Sequence, residues 1–326
     1  RIAKNLFISA IGCLLLLSIL GCQTTTTSTD DWLQSDKIRV LSTTTLVDDL
    51  VREVGGEHVA RLTLIAPALD PHSYELVKGD DEKIFAADLI FYSGLGLEHG
   101  PNLHRFLRES ERSRSVGDAI IKDRPEAVVR IDGQIDPHIW MDVSLWLQGL
   151  DVVAEALEGL DPEHGAEYWE RAAMYKKRLL ALDAKIASML DQVPLHKRYL
   201  VTSHDACNYF CRRYLATSEE RLEGIWMERC SSPEGLAPDA QMSMRDLQKV
   251  VHELLAHKID VIFPESNLSQ DSLRKLIDIG KNSGVSIRIA LEPLYADAMG
   301  EVGSDGDTYE KMMEHNARVL KENLCG

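Results

Sequence analysis

Two tripeptides of the same type, Asp70-Pro71-His72 and Asp136-Pro137-His138, put an imidazole directly after a proline. Proline biases the residue before it toward extended backbone, so each histidine leaves its loop in a defined direction. A third histidine, His204, follows the apolar run Tyr199 to Ser203. A polar side chain at the carboxyl end of a parallel strand faces the crevice in which α/β folds bind ligands. The same rule applied to the last two apolar runs picks out Glu265 after VIFP and Asp297 in EPLYADAMG. These loop ends therefore offer two or three imidazoles and one or two carboxylates. Such a donor set suits one divalent transition-metal ion, Zn, Mn or Fe, held by deprotonated ligands. The chain has eleven histidines, and a histidine taken at random is a surface or satisfied interior residue. These three are set apart by their company.

Other chemical patterns read as structure. His252-Glu253-Leu254-Leu255-Ala256-His257 resembles the metalloprotease HExxH signature with one residue too many. Five helical steps of about 100° put its histidines some 140° apart, too far round for one ion. Serine-hydrolase, Walker and dinucleotide motifs are absent, and SGLGLEHG at 93–100 misses the dinucleotide spacing. Met242, Met244, Met312 and Met313 form two separate pairs suited to core filling. Trp140 and Trp146 follow His138 and are expected to pack where two lobes meet. Asp80 and Asp81 are expected to start a helix, where negative charge is favoured.

The elements that must position these groups are short β-branched runs alternating with helical patterns: 38–42, 59–65, 89–93, then 199–203, 259–264 and 286–291. Strands alternating with helices imply parallel sheets. Between the two sets, Asp161 offers an N-cap, Pro162 a first helical position, and the next proline is Pro194. The expectation is an α/β protein: two α/β lobes with parallel sheets joined by one long bridging helix. The boundaries are 38–160 for the N-terminal lobe, 161–194 for the bridge and 195–326 for the C-terminal lobe. With 326 residues, two domains with full cores fit.

Lys and Arg number 36 against 52 Asp and Glu, a formal charge of −16, with no basic stripe, which excludes nucleic acid as a natural partner. Hydrophobic content of 44% and charged content of 27% exclude wholesale disorder and a polytopic membrane protein. Residues 1–21 carry two positive charges, no acids and an apolar run ending before Cys22. That is a secretory signal pattern with a lipoprotein-type cleavage site, an uncleaved membrane anchor being the alternative. Cys22 would carry the lipid, and residues 22–37, rich in Thr and Ser, would be a tether. Four further cysteines, Cys207, Cys211, Cys230 and Cys325, could pair in three full ways in an oxidising compartment, or stay buried and free.

Taken together, the chain resembles the solute-binding lipoproteins of metal-ion ABC transporters, the TroA-like family, and within it the YtgA-like members. The resemblance runs from about Ile38 to the C-terminal end. It rests on TTTLVDDLVREVGGEHV, DPHSYELVKGDDEKIFAADLIFYSGLGLE, DPHIWMD, LVTSHDA, FPESNLSQDSLRKL and LYADAMGEVGSDGDTYEKMMEHN. The family pattern implies His72 and His138 as ligands from the first lobe and His204 and Asp297 from the second. It also implies the same two-lobe fold, with Glu265 orienting a ligand or binding weakly itself. A membrane permease with its ATPase would be the partner, the binder itself a monomer held by its lipid outside the cytoplasmic membrane or in the periplasm. Manganese-type relatives often carry Glu where this chain has His204. Zinc-specialised relatives insert a His-rich loop, whereas residues 117–134 hold no histidine. The metal thus stays open among Zn, Mn and Fe, and Cys207 reads as a core residue before a soft ligand.

Two rival classes use the same residues. A zinc hydrolase needs an open coordination position and a base, for which Glu265 is the candidate, and a fourth ligand at Asp297 argues against it. A surface adhesin with a structural metal would keep its function after the ligands are replaced.

Overall fold

The computed structural model describes residues 28–238 and 242–326. The expected leader 1–21 and the lipid candidate Cys22 lie outside them. In the first half, β1 (Ile38–Ser42), β2 (Val59–Thr63), β3 (Leu89–Tyr92) and β4 (Ser113–Ser115) form one parallel sheet in the order β2-β1-β3-β4. The three apolar strands lie where their β-branched runs predict. β4 was not legible, because Ser-Arg-Ser at an edge carries no buried alternation. A two-stranded antiparallel ribbon, β5 (Arg130–Ile131) and β6 (Gln134–Ile135), leads directly into the second Asp-Pro-His.

In the second half, β7 (Leu200–Val201) pairs parallel with β8 (Cys230–Ser231), and β9 (Val261–Ile262) with β10 (Arg288–Ile289). The Phe263 amide donates to the Val201 carbonyl at 2.8 Å, joining the pairs. These strands are shorter than the apolar runs suggest, because the chain leaves the ladder early to make the loops that carry His204 and Glu265. At the end of β7 the Thr202 hydroxyl donates to the His204 carbonyl at 2.8 Å and closes that turn.

The bridge begins as a 3-10 turn at Pro162–His164 and continues as an α-helix over Gly165–Leu190. Its 26 residues span about 39 Å, shorter than an α-helix over 161–193. The Asp161 side chain does not cap backbone amides. It accepts instead from the Tyr168 hydroxyl at 2.7 Å and lies 2.7 Å from His164 Nδ1. The buried residues Tyr168, Ala172, Tyr175, Leu179, Leu182, Ile186 and Leu190 recur at three- and four-residue spacing, which makes one apolar stripe. Within it the Tyr175 hydroxyl donates to Asp49 at 2.6 Å on the Thr45–Gly55 helix. Asp183 accepts from the Tyr214 hydroxyl at 2.8 Å and pairs with Arg213. The helix is therefore bonded to both halves.

One core cluster runs from Val40 through Trp140, Phe210 and Tyr309 to Leu324 and crosses the whole molecule. Smaller clusters lie under the outer face of each sheet, around Trp32, Leu41 and Leu103 and around Val201, Leu254 and Leu276. Trp140 and Trp146 are fully buried and meet edge to face. The end of the expected tether is not loose: Thr29–Leu33 is a short helix capped by Ser28. Its Trp32 is fully buried and donates to the Ala60 carbonyl at 3.0 Å. Met312 and Met313 fill the core, whereas Met244 is exposed, at the start of its helix. Cys211 and Cys230 form a disulfide with Cα atoms 6.2 Å apart, and among the described residues Cys207, buried, and Cys325, exposed, have no disulfide partner.

Candidate metal centre

His72, His138, His204 and Asp297 converge, each presenting one donor atom within 4.8 Å of the others. Three come from beyond parallel strands, the loop after β2, the end of β7 and the loop after β10, as the strand-end rule requires, while His138 follows the antiparallel ribbon at β6. Nε2 of His138 lies 3.2 Å from Nε2 of His72 and 3.4 Å from Nε2 of His204. One Asp297 oxygen is 3.3 Å from His138 Nε2, and the other is 3.3 Å from His204 Nε2 and 3.8 Å from His72 Nε2. All four residues are buried. Among the described residues neither Asp297 oxygen accepts a hydrogen bond; the groups facing them are the three Nε2 atoms, so this buried carboxylate depends on positive charge in the centre, a proton on the rings or a metal ion.

The far side of each imidazole explains its direction. His138 Nδ1 is 2.6 Å from an Asp136 oxygen that also accepts from the His138 amide at 2.9 Å. His204 Nδ1 is 2.6 Å from Glu265 Oε2, and the His204 amide donates to Glu265 Oε1 at 3.0 Å. In the neutral ring a carboxylate at Nδ1 keeps the remaining proton there and leaves the Nε2 lone pair pointing into the cluster. Glu265 thus sits behind His204, and its oxygens face that ring rather than the centre. Asp70 accepts from the His72 amide at 2.8 Å and from Ser73 Oγ at 2.6 Å, so it fixes backbone and not ring. The repeated tripeptide therefore works differently at its two sites.

Charge follows from this packing. Burial depresses the His72 pKa well below its ordinary value despite Asp297. Burial also acts against protonation of His138, but Asp136 and Asp297 outweigh it and raise this group to about 9. His204 is raised well above its ordinary value, burial again being outweighed, by Asp297 and Glu265. For Asp297 burial acts upward, yet the imidazoles around it, His204 foremost, hold the carboxyl well below the usual range. The centre is an anion facing a ring of lone pairs and protons that a cation can displace.

The sequence pattern leaves three contributors unmarked. Asp136 stands out only as part of its tripeptide. Glu98, in SGLGLEHG, is buried and accepts from Thr43 Oγ1 at 2.6 Å, the Ser93 amide at 2.7 Å and the Gly94 amide at 3.1 Å. This cage shapes the loop that brings the His99 ring to 5.7 Å from His72, with Gly94 at a φ of 80° that a side chain would resist. Asn208 is the third. In the sequence Asp136 is marked only by its place two residues before His138, and no local signal marks the other two. Cys207 is not in the cluster. His252 is exposed and His257 stacks on Tyr199 at 4.0 Å, so neither serves a metal centre. A second grouping, Glu292, Asp305 and His315, already has its cation: Arg318 pairs with Glu292 at 2.7 Å and lies 3.3 Å from His315 Nδ1.

Residues 40–323 match the family described as zinc-uptake complex component A, periplasmic. The chain is 38% identical over 291 residues to the metal-binding protein YtgA of Chlamydia muridarum, covering 89% of this chain and 87% of that one. It is 32% identical to the manganese-binding lipoprotein MntA of Bacillus subtilis, over 88% of this chain and 90% of that one. The zinc-binding protein TroA of Treponema pallidum is 30% identical over 96% and 97%. The crystal structure of Fe(III)-bound YtgA from Chlamydia trachomatis superposes with a TM-score of 0.82 at 38% identity, covering 87% of this chain and 97% of that one. Family, fold and buried donor cluster agree, and the chain belongs to the zinc-uptake component A family of periplasmic metal-binding proteins, transport components rather than enzymes.

Proposed function

We propose that this protein captures one transition-metal ion outside the cytoplasm and delivers it to an ABC permease driven by its ATPase. The ligands are His72 and His138 from a lobe spanning 38–160, and His204 and Asp297 from a lobe spanning 195–326. The observation that carries this reading is the buried Asp297 carboxylate, faced by three Nε2 atoms and, among the described residues, without a hydrogen-bond partner. Donors at the ~2.0–2.1 Å bond lengths of a zinc site, set tetrahedrally, stand about 3.4 Å apart. The donor separations across this centre, 3.2 to 3.8 Å, match that shell. Three nitrogens to one carboxylate rank Zn above Fe and Fe above Mn in affinity. Relatives named for manganese and zinc, and one crystallised with Fe(III), support a cargo drawn from these three.

The ion completes its shell only when both lobes contribute, so binding energy stabilises the closed arrangement, and the permease releases cargo by drawing the lobes apart. Acylation of Cys22 after removal of residues 1–21 keeps a monomeric binder near that permease, at the outer face of the cytoplasmic membrane. Among the described residues no helix is long and apolar enough to cross a membrane. Isothermal titration with Zn, Mn and Fe(II) tests the site. His72→Ala, His204→Ala and Asp297→Ala are each expected to weaken binding by roughly 100-fold or more, about 2.7 kcal/mol. Affinities unchanged in all three would discard it.

A further inference from the structure

Asp136, which orients His138, is held from the other half of the molecule. Its second oxygen accepts from Asn208 Nδ2 at 3.0 Å, and its backbone carbonyl accepts from the Tyr209 hydroxyl at 3.2 Å. The same hydroxyl accepts from the Val129 amide at 3.1 Å, so the β5–β6 ribbon is fixed to it as well. Asp136 is fully buried and Asn208 is 3% exposed, so water does not substitute for either partner. Asn208 begins the short helix that follows the His204 loop, four residues beyond that ligand. One amide therefore spans the gap between two ligand loops that belong to different sheets.

We infer that Asn208 is a positioning residue that sets His138 against His204 by clamping Asp136 across the lobe boundary. The inference rests on the metal-capture reading and goes one step behind it. The Asp136 carboxylate has two oxygens: one is committed to the His138 ring and amide, and the other is free to rotate unless Asn208 holds it. With the amide in place the carboxylate plane is fixed, and with it the direction of the Nε2 lone pair. Without it, His138 keeps its partner but loses its aim. Residues that orient a ligand from behind typically contribute 10–100-fold to metal affinity.

The test uses the purified protein loaded with Co(II), whose visible spectrum reports the ligand field, beside Zn titration and thermal unfolding of the metal-free form. Asn208→Ala is expected to weaken Zn binding about tenfold and to alter the spectrum of the Co(II)-saturated protein. Asn208→Asp, nearly identical in shape but with an acceptor facing Asp136, should do so more strongly. Asn208→Ser serves the same reading if the alanine protein does not fold. Tyr214→Phe is the control, since its hydroxyl bonds Val143 and Asp183 across the same boundary without touching Asp136. It should lower the unfolding temperature and leave affinity and spectrum unchanged. Wild-type-like affinity and spectrum in the Asn208 variants would overturn the clamp while leaving metal capture standing. A wild-type protein that binds none of the ions would instead overturn the capture reading.

Discussion

At the scale of single residues, the centre is a balance between protons and a metal ion. His138 titrates near 9 in the metal-free protein and His204 is also raised, while Asp297 stays ionised. The sign follows from linkage. A histidine whose folded pKa exceeds its ordinary value of about 6.5 stabilises the metal-free fold fully below that pH, and the contribution is lost as pH rises through about 9. A metal ion needs the deprotonated ring, so its affinity runs the other way and climbs across the same window. Titration at neutral pH in buffers of different ionisation enthalpy should therefore show protons released on Zn binding, with the count falling as pH approaches about 9. No proton release at neutral pH would contradict these charge states.

At the scale of elements, the site depends on strands that end early. β7 and β9 have two residues each, and within three residues beyond them the chain places His204 of the buried cluster and Glu265 behind it. Something else must hold these ends. The disulfide between Cys211 and Cys230 does part of this, tying the segment after the His204 loop to β8, the neighbour of β7. Its 19-residue separation constrains the unfolded chain by about 3 kcal/mol. Replacing both cysteines with serine should lower the free energy of denaturant unfolding by about that amount. Zn affinity should fall far less than in the ligand variants, because both sulfurs lie outside the donor cluster.

At the scale of the whole molecule, the halves are joined by more than the bridging helix. Trp140 Nε1 donates to the Ala296 carbonyl at 2.8 Å, the Tyr309 hydroxyl to the Trp140 carbonyl at 2.6 Å, and the Met299 amide to Thr45 Oγ1 at 3.1 Å. Asp49 accepts from Tyr175 of the bridge and from the Tyr309 amide of the last helix. Opening this boundary widely would leave these buried groups unpaired at about 1–3 kcal/mol each. Metal exchange in solution is therefore expected to involve small adjustments of the loops rather than a wide hinge. Small-angle scattering of metal-free and Zn-loaded protein should give radii of gyration equal within error, and a clear compaction on loading would refute this.

The sequence alone fixed what depends on local patterns. β-branched runs located the inner strands, Pro162 and Pro194 bracketed the bridge, and a polar residue after an apolar run gave His204 and Glu265. The paired Asp-Pro-His tripeptides gave His72 and His138. It could not show the edge strand Ser113–Ser115, whose polar residues lack alternation, or the early ends of β7 and β9. Nor could it choose a cysteine pairing, order the segment around Trp32, or reveal Asn208 and Glu98. Those features depend on which loops meet, and an amide or a carboxylate becomes a support only when a distant chain segment arrives within hydrogen-bonding distance. Donor types are written in the chain, whereas the distances between them belong to the packing of two sheets against one helix.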